Sequence, residues 1–187
     1  MIMIALFILL CMNNKALCQD FSKNSLKYGA GWGGCDGVKT SGNGWLLIIG
    51  YQRDLWKDRL RLNPNFTFGY FNSKNTTDVR DQWFNSLNLE TILYFDLIKI
   101  KAFSFMIGAG GFVNNTKGLL GTGGWPPGES TSEYFSDWNY GGLICAGFRI
   151  NPKNSRFAFD LIPYTFHFGG NNYEEAFVSV GFELKLK

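Results

Sequence analysis

Charge is scarce in this sequence. Only 18% of its 187 residues are Asp, Glu, Lys or Arg, below the roughly 25–35% that keeps a soluble surface wet. The net charge is +3, with no Lys/Arg cluster, which argues against a nucleic-acid partner. Histidine occurs once, as His167. No His/Cys group has metal-ligand spacing, so neither a metal nor any other cofactor is expected. A phosphate loop is missing too: Gly108, Gly110 and Gly111 are not followed by Lys-Ser/Thr. No apolar run beyond the N-terminal segment reaches about 18 residues, which excludes a transmembrane helix and leaves strands as the way to cross a bilayer. Of four cysteines, Cys11 and Cys18 belong to that N-terminal segment. Cys35 and Cys145 remain, and their spacing implies no disulfide.

Residues 2–12 form an apolar run of signal length, broken by Asn13, Asn14 and Lys15. Ala16 and Cys18 are small residues spaced like a cleavage site. Residues 1–19 therefore read as a secretory signal peptide, and 20–187 as one domain.

Aromatic residues are abundant at 17%, and glycine occurs 23 times. They fall on a period of two. At residues 177–187, Val178, Val180, Phe182, Leu184 and Leu186 share one parity, and Ser179, Gly181, Glu183 and Lys185 the other, so the stretch is a strand with one apolar face. The same alternation marks seven earlier segments. Residues 58–71 are the cleanest, with Leu60, Leu62, Phe66, Phe68 and Tyr70 against Arg59, Arg61, Asn63, Asn65 and Thr67. Pro64 predicts a bulge or a strand end there. In the seventh segment, 155–168, the pattern blurs past Pro163. The gaps between segments alternate long and short, so an up-and-down meander of eight strands gathers its large loops at one end. An apolar terminal strand needs a partner, and the first strand supplies it by closing a barrel.

Closure, an even strand number and short turns opposite long loops predict an all-β, eight-stranded antiparallel transmembrane barrel. Trp32, Trp45, Tyr70, Trp83 and Trp138 stand near the long-loop end of their strands and predict an interfacial aromatic girdle. The polar parity then faces the lumen, where Arg59, Arg61, Glu90, Asp96, Arg149, Asp160 and Glu183 are candidates for ion pairs that fill a narrow interior. The longest loop is expected at 115–136, and its apolar residues Leu119, Leu120, Trp125 and Tyr134 are candidate contacts for a partner, a ligand or lipopolysaccharide.

These segments resemble the small eight-stranded outer-membrane barrels of the OmpA/OmpX type, a resemblance carried mainly by 58–70 and the terminal strand. It implies a monomeric, non-enzymatic protein of the Gram-negative outer membrane with a structural or surface-interaction role. Its partners would be membrane lipid, lipopolysaccharide and the barrel assembly machinery. Such barrels usually end on an aromatic residue, whereas Phe182 is the last aromatic before Lys187 here. Two other readings stand beside this one. A secreted lipocalin-like barrel binding an apolar ligand has the same alternation with its faces inverted. A lipid A-modifying barrel enzyme resembling the deacylases would need a serine two residues after its histidine. Gly169 occupies that position after His167, and the expected environment of His167 is an interfacial or loop edge.

Overall fold

The computed structural model describes residues 23–56, 59–73, 83–122, 131–152 and 155–186. Eight strands run in order: β1 (Asn24–Asp36), β2 (Gly42–Trp56), β3 (Leu60–Ser73), β4 (Trp83–Ile100), β5 (Phe103–Thr122), β6 (Thr131–Ile150), β7 (Phe157–Gly169) and β8 (Glu174–Lys185). Each pairs antiparallel with its predecessor, and β8 pairs with β1 to close the barrel. At the seam Leu184 lies opposite Leu26, Phe182 opposite Tyr28 and Val180 opposite Ala30. The terminal apolar row therefore continues across the closure onto the outer face of β1. No helix among the described residues is long enough to cross a membrane. The expected signal segment, 1–19, lies outside the described residues.

Apolar side chains point out and polar ones point in. Tyr28, Leu47, Ile49, Phe66, Leu89, Val113, Ile144 and Val180 are exposed on the outside, whereas Lys27, Arg61, Asn88, Glu90, Arg149 and Glu183 are buried inside. This is the reverse of what a soluble ligand-carrying barrel requires. Glycine on the inward row makes room for larger neighbours. A Cβ on Gly108 would stand 2.8 Å from the Tyr94 ring and 2.6 Å from Cys145 Sγ.

Three expectations need correction. Residues 115–136 are mostly hairpin stem rather than loop, since β5 and β6 stay paired out to Thr122 opposite Thr131. Polar Thr116 looks like a loop residue in sequence, but its hydroxyl donates to Asn114 inside the barrel. Leu119 and Tyr134 are paired strand residues, Leu120 packs against the inner apolar cluster, and Trp125 lies outside the described residues. Second, Pro64 causes no register shift. The β2–β3 ladder only opens beside it, between Gly50–Asn65 and Arg53–Leu62. Asn63 Nδ2 donates to Tyr51 O at 3.1 Å in that gap, so a side chain supplies a donor where proline has none. Third, Arg59 is not lumenal. A bulge between Asp54 and Trp56 ends the regular alternation, and Arg59 stands exposed in the turn before β3.

On its β7 side the stem runs well past its neighbour, whereas β4 accompanies β5 out to Trp83 opposite Leu119. β6 pairs with β7 only from Gly141 onward, a stretch close to the roughly 9–11 residues that cross a bilayer. Residues 131–140 of β6 extend beyond the end of β7.

Candidate functional site

The interior is built in layers. Nearest the turns, every strand contributes a side chain to one polar layer: Lys27 from β1, Gln52 from β2, Arg61 from β3, Asp96 from β4, Met106 from β5, Arg149 from β6, Asp160 from β7 and Glu183 from β8. Lys27 Nζ lies 2.6 Å from Asp160. Arg149 bridges two acids, with Nη2 at 2.5 Å from Glu183 and Nε at 3.7 Å from Asp160. Gln52 donates to Glu183 at 3.1 Å. Arg61 pairs with Asp96 at 2.8 Å and reaches Met106 Sδ at 3.0 Å. Three cations face three carboxylates, so the layer is balanced in charge. Tyr94 lies over it, its ring centre 5.0 Å from Lys27 Nζ.

A second layer centres on His167. Its Nδ1 is 3.0 Å from Glu175 and its Nε2 is 3.1 Å from Glu90. Each carboxylate has further donors: Asn65 and Thr67 on Glu90, Asn88 and the Tyr173 hydroxyl on Glu175. An amide ladder continues toward the long-loop end, where Asn114 donates to Ser86 and Asn88, and Asn139 donates to Asn114. Phe112 stacks on the imidazole at 4.7 Å, and Phe177 meets it edge-on at 5.4 Å.

His167 therefore sits deep inside, not at an interfacial edge. The cause is a bulge in β7. Both ladders of β7 shift by one residue beside Pro163, against β6 between Ala146 and Phe148 and against β8 between Ile162 and Thr165. Pro163 and Tyr164 are consecutive exposed residues. Parity flips there, turning Thr165 and His167 inward.

An apolar cluster covers the second layer. Phe71 and Phe84 stack at 4.9 Å, and Phe112, Phe135, Tyr173 and Phe177 are buried with them. Between the polar layers is a cavity of about 20 Å³, lined among others by Lys27, Glu90, Tyr94 and Thr165, room for about one water. With His167, Glu90 and Glu175 at or below 2% exposure, the imidazole and its carboxylates are sealed from any bulky substrate. Gly169 ends β7 in the position where the deacylase pattern needs a nucleophile. The chemistry this arrangement performs is cross-linking: its hydrogen bonds tie β3, β4, β5, β6, β7 and β8 across the lumen.

Two features stand on the outer surface. Trp32 lies opposite Trp45, Trp45 opposite Tyr70, and the Tyr70 and Trp83 rings stack at 6.2 Å. Trp138 stands apart from that run, opposite Asn115, and is 66% exposed. At the turn end, Phe103 and Phe148 stack at 5.6 Å and Phe157 and Phe182 lie 5.1 Å apart, a second aromatic band that sequence reasoning missed. Lys27 and Glu175 were missed as ion-pair members. Lys27 shares its parity with Gly29, Gly31 and Gly33, which was the available signal. Glu175 continues the inward parity of Ser179, Gly181 and Glu183 along β8, which was its available signal.

No protein-family model matches this sequence, and no curated protein matches it by sequence. Solved structures do match. The chain is similar to Neisserial surface protein A, with a TM-score of 0.60 at 13% identity, covering 90% of this chain and 100% of that one. It is similar to Ail, the attachment invasion locus protein of Yersinia pestis, with a TM-score of 0.52 at 14% identity, covering 88% and 99%. Ail is also matched in its complex with the heparin analogue sucrose octasulfate, with a TM-score of 0.51. A closed, antiparallel, up-and-down meander with charge inside and apolar residues outside is the fold of the small eight-stranded outer-membrane β-barrels.

Proposed function

We propose that this chain is a non-enzymatic, monomeric barrel of the bacterial outer membrane that acts at the surface through its β5–β6 hairpin. The observation that carries the membrane assignment is the closed barrel with a charge-balanced layer inside and an apolar exterior. Lipid offers the outward row a solvent that water does not, and closure leaves no unpaired edge in it. The Trp32–Trp45–Tyr70–Trp83 run then meets the outer leaflet at the headgroup boundary, where lipopolysaccharide is the neighbour. Export would use residues 1–19, and insertion the barrel assembly machinery.

Leu89 tests this directly. It is 63% exposed near the middle of β4, between Phe66 and Val113 on the outer face. Leu89→Arg is expected to cost about 2–4 kcal/mol of insertion free energy, read as reduced protease-protected protein in vesicles. Equal insertion of the variant, or a wild-type protein soluble without detergent, would defeat the membrane reading.

The hairpin is the interaction element because its stem extends past β7 and carries Tyr134 and Trp138, 63% and 66% exposed. Ail forms a complex with a heparin analogue, sucrose octasulfate, but the charge at this chain's loop end favours another class of partner. Asp36, Glu133, Asp137 and Glu174 there outnumber Lys39 and Lys117 among the described residues. An apolar or aromatic-rich protein surface fits better. Joining Lys117 to Ser136 by an Asn-Gly turn removes the tip and the outer stem, Tyr134, Leu120 and Phe135 included, while keeping Lys117 paired with Ser136. This variant is expected to insert normally but to lose adhesion of expressing cells to host-cell or matrix protein. Unchanged adhesion would remove the hairpin from the proposal.

A further inference from the structure

Among the described residues, the two ends of the barrel carry opposite charge. At the turn end, exposed bases are spread around the rim: Lys23 before β1, Arg59 between β2 and β3, Lys101 between β4 and β5, and Arg156 before β7. Arg53 joins them on the outer face of β2, opposite Asn24. Asp54, half-buried, is the acid at this rim among the described residues. The loop end has the acid excess described above, and Lys39 there faces Asp137 at 3.9 Å.

The rim bases are held at fixed height. Lys23 O accepts from Asp54 N, Arg59 O from Asp96 N, and Arg156 O from Lys185 N, all at 2.8–2.9 Å. The rim bases lie next to the turn-end aromatics along the chain. Lys101 is two residues from Phe103, Arg156 adjoins Phe157, and Arg53 is two residues from Tyr51, whose hydroxyl donates to Asn24 at 2.6 Å. That is headgroup depth, where long basic side chains lie along apolar surface and extend their charge into the polar layer.

We propose that this basic rim binds the phosphate headgroups of anionic phospholipid in the leaflet at the turn end. The inference rests on the membrane reading above, and it names the lipid class and the leaflet. Guanidinium groups match phosphate oxygens bidentately, and bases placed at an anionic surface are each favoured enough to shift retention about fivefold. Among the described residues, the loop end is poor in exposed bases and has no equivalent ring. The barrel therefore distinguishes its two leaflets by charge as well as by loop length.

The test uses the full chain inserted in vesicles of phosphatidylcholine, with and without phosphatidylglycerol. Native mass spectrometry then counts the lipids retained on the detergent-released barrel. The wild type is expected to retain phosphatidylglycerol over phosphatidylcholine by about fivefold for each engaged base, with the preference falling as salt rises. The triple variant Arg59→Gln, Lys101→Asn, Arg156→Gln should bring the ratio toward one while insertion stays normal. Asn suits position 101, where φ is 53°. A Lys39→Gln, Lys117→Gln variant should leave the ratio unchanged.

An inserted wild type with a ratio of one, or a triple variant that keeps its preference, overturns this inference alone. A ratio of one combined with co-sedimentation on isolated cell-wall sacculi that the triple variant loses also overturns it and assigns the rim to the wall. A chain that stays outside both kinds of vesicle, open to protease, overturns the membrane reading and this inference with it.

Discussion

His167→Leu is expected to destabilise the barrel by about 3–5 kcal/mol, the usual cost of removing one partner from a buried charged group. The imidazole stands between Glu90 and Glu175 with an oxygen of each within 3.1 Å. It is the basic group of that layer. Leucine has similar bulk, so the loss reports polarity more than a cavity. Without the ring, two buried carboxylates keep only neutral donors from Asn65, Thr67, Asn88 and Tyr173. Guanidinium unfolding of the lipid-embedded protein, followed by Trp fluorescence, should show a lower midpoint. Adding Glu90→Gln and Glu175→Gln should recover most of the loss, because a neutral layer needs no cation. A wild-type midpoint for His167→Leu would mean that the imidazole is only filler. Failure of the triple variant to recover would mean that its geometry matters more than its charge.

The outward rows were legible in the sequence because one rule governs them: lipid-facing residues recur every second position, and strands 1 to 6 and 8 obey it through the bilayer zone. Glu90, Asp96 and Arg149 follow from the same rule. His167 does not, because its inward direction depends on an extra residue at Pro163 that only the ladders with β6 and β8 reveal. The blurred alternation after Pro163 was the trace of that bulge. Alternation also fails where both faces are apolar. Phe71, Phe84 and Phe177 lie on the inward parity, and nothing in composition separates an aromatic turned to the lumen from one turned to lipid. At the hairpin the error has a different source. Thr116 is polar because it lines the interior near the mouth, and Asn115, on the outer parity opposite Trp138, donates to Asp137 O; a run of polar residues reads as a loop when no partner strand is known. Arg59 failed for the smallest reason, since strand parity was extended one residue past the point where a bulge ends it.

Arg149→Met is the sharper probe of the charged layer, since its two acids differ in what they keep. Asp160 retains Lys27 at 2.6 Å. Glu183 loses its cation and retains Gln52, a neutral donor at 3.1 Å. The expected cost is again about 3–5 kcal/mol, and it should fall on the Glu183 side. Arg149→Met with Glu183→Gln is therefore expected to recover most of the stability. Arg149→Met with Asp160→Asn should not, because it also leaves Lys27 without its carboxylate. Arg149→Lys should recover only in part, as a single ammonium cannot reproduce the fork that addresses both acids. Unfolding midpoints of the four variants in lipid decide the matter. Equal rescue by Glu183→Gln and Asp160→Asn would show that the layer responds to net charge alone. Selective rescue would show that specific pairs, contributed by all eight strands, lock the barrel's interior in register.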